Sequence, residues 1–432
     1  MENYQNFIIY VKEKIVHPGV RKHSQNFGWM FFAKIGTMAI TFFATAYIAR
    51  NLGPANYGQL SYAISFVSLF TFIASLGIDS VLYRDLVQYP ERKNELLGSS
   101  LGLRILASSI MVVLIILSAL FISSEDVSLW LIFIISLSSL FGSFQLLGYE
   151  FQAEAKSKYP SILSLLIVII LNILKITAIF FDKGVIYLAL IILLEPLLYS
   201  LGYLLLKSRF YGDVKKLFFK KSTALRILRD SFPLIFASAF YLIYARIDQV
   251  MIKHMINAEA VGLYDAAVRI SELSYFIPQI ILISLFPAIV NAKKMSPELY
   301  YKRTKKLLYL LLIISFGIAL CTAVLSKYLI LAIFGTSFIG ALSALYICVW
   351  SGIGAALNSL AQQLLLAENL TKNISIGAFL GMVTNIILNV LLIPIYGISG
   401  AAFATLISYM VPFLSLLLFK KTRILLLAIL KI

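Results

Sequence analysis

The stretch ARNLGPANYGQLSYAIS, Ala49 to Ser65, sets an arginine, two glycines and a proline into a chain that is otherwise close to oily. Three readings compete for it: a phosphate cradle, a catalytic loop, or the bend of a helical hairpin. A phosphate loop needs a strand before it and a helix after it. Here long apolar runs stand on both sides, so Gly53 and Pro54 end one segment and Gly58 opens the next. That choice decides the fold, because apolar runs of about 20 residues, enough to cross a hydrocarbon core of ~30 Å as a helix, recur along nearly the whole chain.

Composition agrees. Of 432 residues 60% are apolar and 13% charged, with a mean hydropathy of +0.91, which excludes an ordinary soluble domain. The ten-residue alternation of a membrane barrel is missing. The start, MENYQNFIIYVKEKIVHPGVRKHSQNFG, is too polar for a cleaved signal peptide, so the first spanning helix is expected to direct insertion. Cys321 and Cys348 both fall in apolar segments and read as packing residues. The expectation is an all-α integral membrane protein.

Breaks at Gly, Pro and charge clusters divide the apolar runs into twelve spans: 28–48, 59–82, 100–122, 128–149, 160–181, 185–206, 231–252, 264–290, 306–326, 341–366, 374–395 and 398–419. Basic residues fall overwhelmingly in one alternate set of connections. The other set holds only Arg50, Lys183, Lys253 and Lys327. Both termini are therefore expected in the cytoplasm. The net charge of +17 is then a topology signal and a reason to sit on anionic lipid, with no nucleic-acid partner implied. The sequons at Asn369 and Asn373 fall on the cytoplasmic side and carry no meaning there.

The basic connection KSRFYGDVKKLFFKKSTALRILRD, 207–230, separates six spans from six and reads as an amphipathic linker at the membrane surface. The expected division is a cytoplasmic segment 1–27, an N-lobe 28–206, the linker 207–230, a C-lobe 231–419 and a cytoplasmic tail 420–432. An even number of spans per half makes the two lobes parallel repeats. A weak echo supports this. ATAYIARNLGPANYG leads into QLSYAISFVSLF in the first half, and LIYARIDQVMIKHMINAEAVG leads into LYDAAVRISELSYF in the second, so that Gly58 matches Gly262 and Ala63 matches Ala267.

ARNLGPANYGQLSYAISF, YARIDQVMI, AEAVGLYDAAVRISE and SKYLILAIFGTSFIGA together resemble the polysaccharide-exporter branch of the multidrug/oligosaccharidyl-lipid/polysaccharide flippase superfamily, which includes Wzx-type O-antigen flippases. The resemblance implies a V-shaped fold of two six-helix lobes, like that of multidrug and toxin extrusion transporters, working by alternating access around a central cavity. It implies export of an undecaprenyl-diphosphate-linked oligosaccharide to the outer leaflet of a bacterial cytoplasmic (inner) membrane. Membrane lipids and the polysaccharide polymerase machinery are the further partners implied. No enzyme activity or cofactor is expected, only H+ or Na+ as coupling ion, and no nucleotide-binding G-x-x-x-x-G-K-[ST] occurs.

Charges inside spans are costly, roughly 2.5 to 3.5 kcal/mol each on insertion scales, and usually face a cavity or a partner. Arg246 and Lys175 lie deepest among the cations and are expected to bind the diphosphate; an arginine fork matches phosphate oxygens. Lys34 and Arg104, near span ends, either snorkel or line the same cationic cavity. Asp79 is a loop-edge residue, an ion-coupling group or the partner of a nearby cation. Glu195 precedes the helix-bending Pro196 and reads either as a protonatable coupling carboxylate or as a buried acid satisfied locally. Arg269 completes the cationic set, although Asp265, Arg269 and Glu272 at i, i+4 and i+7 also read as an ion-pair ladder. Asp248 lies off the face of Arg246, in an outer vestibule or a cation site. Some of the many tyrosines are expected to stack on sugars, without the sequence saying which.

The rival readings are a cation-coupled drug or metabolite exporter of the same fold, a lipid II flippase, and a membrane glycosyltransferase or polymerase. An exporter of cationic drugs calls for an acidic site, and lipid II flippases commonly have two more spans than the tail after 419 supplies. A transferase needs a catalytic carboxylate or a large soluble loop. The three histidines, His17, His23 and His254, are scattered, which leaves no general-base or metal cluster.

Overall fold

The computed structural model describes residues 18–122, 126–212 and 214–431. The segment 1–17, most of the expected cytoplasmic start, lies outside them. No strand occurs among the described residues. Long apolar sequence becomes helix because a backbone in lipid must satisfy its own hydrogen bonds.

Helix α1, Pro18–Ser68, runs through the opening stretch and is interrupted only at Gly53, where φ 74° and ψ 166° break the helical geometry. Glycine takes that positive φ without the penalty of a Cβ. Helices α2 (Thr71–Ser75), α3 (Ile78–Gln88), α4 (Lys93–Ile122) and α5 (Asp126–Gly142) follow, then α6 (Gly148–Ala153), α7 (Lys158–Phe180) and α8 (Val185–Tyr211). The second half consists of α9 (Lys221–Met255), α10 (Ala258–Lys293), α11 (Pro297–Ile333), α12 (Leu342–Cys348), α13 (Ser351–Ala367), α14 (Thr371–Tyr396), α15 (Ile398–Leu414) and α16 (Lys420–Lys431).

Ten of the described helical segments are long and apolar enough to span, and a bent pair, Thr336–Cys348 with Ser351–Ala367 at 45°, makes an eleventh crossing. The segment Gln25–Ser68 holds the first expected crossing, 28–48, and, beyond the Gly53 bend, the first part of the second, 59–82. By length and apolarity the described helices thus give ten or eleven crossings, against the twelve of the sequence reading. Its second span is not one rod: α1 stops at Ser68, and Leu76 and Gly77 take positive φ before α3 begins.

The chain forms two compact units. One comprises the described parts of Met1–Thr45, Ile73–Ile122 and Phe133–Phe232; the other comprises the described parts of Ala46–Phe72, Ser123–Ile132 and Pro233–Ile432. The end of α1 that carries the opening stretch thus belongs to the unit built mainly from the second half.

In the first unit, Ile78, Leu82, Leu96, Leu97, Leu146, Leu147 and Ile227 form an apolar core. Charges bind its helix ends. Asp85 pairs with Arg84 at 2.9 Å and Arg226 at 2.8 Å, and Glu150 pairs with Lys207 at 2.6 Å and Lys93 at 3.1 Å. Within 207–230, the backbone of Phe218 lies against Gly98, the Phe219 ring covers Gly102, and Lys220 N–H donates to Ser99 Oγ at 3.0 Å.

In the second unit, Leu282, Phe286, Leu307, Leu311, Leu360 and Leu364 pack together with Ile429 of α16. Helix α10 starts with Asn257 as cap, accepting from Ala260 N–H at 2.8 Å. Helix α11 starts with Ser296, accepting from Leu299 N–H, and Pro297. Such caps satisfy amide groups that the first turn leaves without intrahelical partners.

Candidate functional site

Helix α9 sets the chemistry of the second unit. Tyr241, Tyr244, Ala245 and Asp248 stand at i, i+3, i+4 and i+7 and so share one face of the helix. Asp248, only 3% exposed, lies among α10, α14 and α15. Its carboxylate accepts from Tyr264 Oη at 2.7 Å, from Asn389 Nδ2 at 2.5 Å and from the Thr405 hydroxyl. Asn389 Nδ2 is also 3.0 Å from Asn385 Oδ1. These donors are all neutral, and Asn389 Oδ1 is buried without a hydrogen-bond partner.

Beside Asp248 is a cavity of about 10 Å³ that also touches Glu272, Tyr275, Cys348 and Tyr409. That volume suits one water-sized occupant. The Asp248 carboxylate with the hydroxyls of Tyr264 and Thr405 beside such a space can hold a proton on Asp248 or a small cation among oxygens.

A second buried acid behaves differently. Asp265, 2% exposed, takes a hydrogen bond from the Tyr57 hydroxyl and others from Ser61 Oγ at 3.3 Å and Gln249 Nε2 at 2.8 Å. Arg269 Nε donates to it at 2.6 Å. Gln249 in turn accepts from Ser65. The charge is thus neutralised and fully hydrogen-bonded, which is what a structural buried pair requires.

The expected ladder is realised only in part. Asp265 holds Arg269, whereas Glu272 faces Arg246 at 3.5 Å. Arg246 is 34% exposed, and this separation is too long for a close charge-assisted bond. Its fork keeps donors for another anion.

A larger cavity of about 400 Å³ opens in the same unit. Ser238, Tyr241 and Tyr244 of α9, Tyr275 and Gln279 of α10, Asn358, Ser359 and Gln362 of α13 and Tyr409 of α15 supply its polar lining. Tyr275 and Tyr409 also line the small cavity, so the two spaces share a wall. Gly354 makes that wall possible, since a Cβ there would come within 2.9 Å of the Tyr409 backbone.

The first unit holds the remaining expected residues. Arg104 is buried and ion-paired with Asp79, which makes Asp79 the partner of a nearby cation. Lys34 is exposed on α1, Lys175 is half-buried on α7, and Glu195 is half-buried on α8 beside Pro196. One turn on, Ser200 Oγ donates to the Pro196 carbonyl at 2.8 Å and to that of Phe141 at 2.5 Å.

Sequence reasoning singled out Asp248 but missed its companions Asn385, Asn389 and Thr405. A signal for Asn385 and Asn389 existed: two asparagines at i, i+4 in the apolar second half of a 26-residue helix.

Long apolar helices that enclose polar clusters and cavities define a multi-pass membrane protein with an internal polar site of the kind transporters have. The solved structures that resemble the chain are of that class. It superposes with a TM-score of 0.70 on an inward-facing multidrug resistance transporter of the multidrug and toxin extrusion family, at 14% identity, covering 91% of this chain and 96% of that one. With the lipid II flippase MurJ the TM-score is 0.71 at 17% identity, over 91% of this chain and 87% of that one. The particular family is given by sequence: the profile described as "Polysaccharide biosynthesis protein" matches residues 24–293, more than half the chain, and the chain belongs to that family. Protein 1 of the Lsg locus of Haemophilus influenzae is 25% identical over 314 residues, 71% of this chain and 75% of that protein. The "Probable flippase AglR" of Haloferax volcanii is 30% identical over 182 residues, 38% of this chain and 35% of that protein. The chain thus joins the fold of these solved transporters to membership of a polysaccharide-biosynthesis family.

Proposed function

We propose that the protein moves a lipid-diphosphate-linked oligosaccharide from the cytoplasmic to the outer leaflet of the bacterial inner membrane, with both termini in the cytoplasm, and supplies surface polysaccharide synthesis. Movement proceeds by alternating access and is driven by an ion gradient. The observation that carries the reading is Arg246. Of the five intramembrane cations expected at the site, Arg104 and Arg269 are committed to close carboxylate pairs and Lys34 is exposed. Lys175 is half-buried. Arg246 stands half-exposed, 3.5 Å from Glu272, with donors left for a diphosphate.

Asp248 is the coupling group in this proposal. A buried carboxylate among neutral donors, next to a space for one water-sized particle, gains from a proton or a small monovalent cation. Glu195 lacks such a cage among the described contacts and ranks second.

The test is genetic and chemical. Deleting the gene is expected to remove the surface glycan and to leave its lipid-linked precursor in the inner leaflet. Complementation with Arg246→Ala, expressed at normal level, is expected to give the same phenotype. Drug hypersensitivity with intact surface glycan after deletion would overturn the proposal in favour of an exporter.

A further inference from the structure

Recognition of a diphosphate by Arg246 leaves the chemistry of the 400 Å³ cavity unused. Four tyrosine rings gather there: Tyr241 and Tyr244 at 5.3 Å, Tyr244 and Tyr409 at 5.5 Å, Tyr275 and Tyr409 at 6.0 Å between centroids. The amides of Gln279, Asn358 and Gln362 and the hydroxyls of Ser238 and Ser359 accompany them. None of the fifteen described residues lining the cavity is charged. Its volume lies within the range of about 300–1,000 Å³ usual for small-molecule sites.

Ligand classes separate on this lining. An acyl chain would cover three amides and two hydroxyls and return no hydrogen bond to them. A cationic drug needs a carboxylate and an acidic sugar needs a cation, and burying either charge without one is heavily penalised. An uncharged sugar satisfies both parts of the surface. Its C–H face packs on a ring, while its hydroxyl or acetamido groups exchange hydrogen bonds with the amides.

The internal contacts of the amides are loose enough to be replaced. Gln362 Nε2 donates to Asn358 Oδ1 at 3.4 Å, and Asn358 Nδ2 donates to Tyr244 Oη at 3.3 Å. Both exceed the usual N–H···O distance of about 2.9–3.0 Å. Tyr241 and Gln279 are exposed, so the lining is reachable from outside. Glu272, the neighbour of Arg246, touches the small cavity that shares Tyr275 and Tyr409 with the large one, which sets phosphate and sugar recognition side by side.

We infer that this tyrosine and amide cavity holds an uncharged sugar residue of the transported glycan and discriminates against a carboxylate-bearing sugar at that position. The inference rests on the proposed transport of a lipid-linked glycan. The test uses the full chain in lipid nanodiscs and three probes: a bare polyprenyl diphosphate, the same carrier bearing N-acetylglucosamine, and the same carrier bearing glucuronic acid. N-acetylglucosamine is expected to tighten binding about tenfold over the bare carrier, the order of one or two well-made hydrogen bonds with packing. Glucuronic acid is expected to add nothing.

Tyr241→Ala and Gln362→Ala should each remove most of that gain and leave affinity for the bare carrier unchanged. Tyr241→Phe, which keeps the ring, should retain it. Equal affinity for the two sugar probes overturns the inference, as does an equal loss of bare-carrier binding in the variants. If the bare carrier binds but neither sugar adds affinity, the inference fails while the flippase reading stands. If no probe binds, both fail.

Discussion

Gly58 and Gly262 face each other across the contact of α1 and α10. A Cβ on Gly58 would collide with the carbonyl of Ala258, and one on Gly262 with the carbonyl of Pro54. The two residues that echo one another in the halves of the sequence are thus each other's neighbours in the fold. Gly58 on one helix, and Ala258 with Gly262 four apart on the other, let the backbones approach as in other membrane helix pairs.

Substituting either glycine by valine is predicted to separate α1 from α10. The cost should be about 1–3 kcal/mol, as for overpacked cores. The double variant is expected to lose less than the sum of the two single losses, because both relieve the same contact once the helices part. Thermal unfolding of the purified protein in detergent measures this. Full additivity would show that the two glycines act separately.

The same contact carries the Asp265 cluster one turn further along α10. Asp265→Ala leaves the half-buried Arg269 without its carboxylate, while Tyr57, Ser61 and Gln249 lose their common acceptor. Removing one partner of a buried pair costs ~3–5 kcal/mol. The expected outcome is a sharp fall in the yield of monodisperse protein, with Tyr57→Phe losing only about 1 kcal/mol. An Asp265→Ala protein of normal stability would contradict the structural role given to this pair.

How far the sequence reached can be judged from these residues. The spans, the Gly53 bend and the Gly58/Gly262 echo were legible because backbone constraints and apolar length leave a one-dimensional trace. Asp79 and Arg104 were legible as candidate partners by their similar depth. The cage of Asp248 was not, since Tyr264, Asn389 and Thr405 come from three helices that only tertiary packing brings together. Glu272 left no trace of its choice either. Helical spacing set it beside Arg269, yet it faces Arg246 on α9. The tyrosines of the large cavity were hidden because an interfacial belt leaves the same compositional signal.

For Asp248 the prediction separates binding from coupling. Asp248→Asn keeps a side chain of the same size, so the fold and affinity for a lipid-linked glycan should persist. Flux in proteoliposomes should stop responding to an imposed Na+ or proton gradient. Unchanged acceleration by both gradients would remove Asp248 as the coupling group, and Glu195→Gln would then be the next variant to test.

The first unit offers a cycle on Glu150 and Lys207, both side chains 2% exposed and 2.6 Å apart. Lys207→Met leaves Glu150 buried with only Lys93, at 3.1 Å, to offset its charge. Glu150→Gln leaves the Lys207 ammonium facing a neutral amide near the Tyr211 ring. Each single change is predicted to destabilise by ~3 kcal/mol, because a charge held out of water loses its nearest partner. The double change removes both charges and should lose only about 3–4 kcal/mol instead of the ~6 kcal/mol of the two losses added, a coupling energy of about 2–3 kcal/mol. Denaturation midpoints of the four proteins, taken in one detergent and at one salt concentration, measure the cycle. If the double variant were as unstable as the two losses added together, the pair would contribute through packing alone and not through its charges.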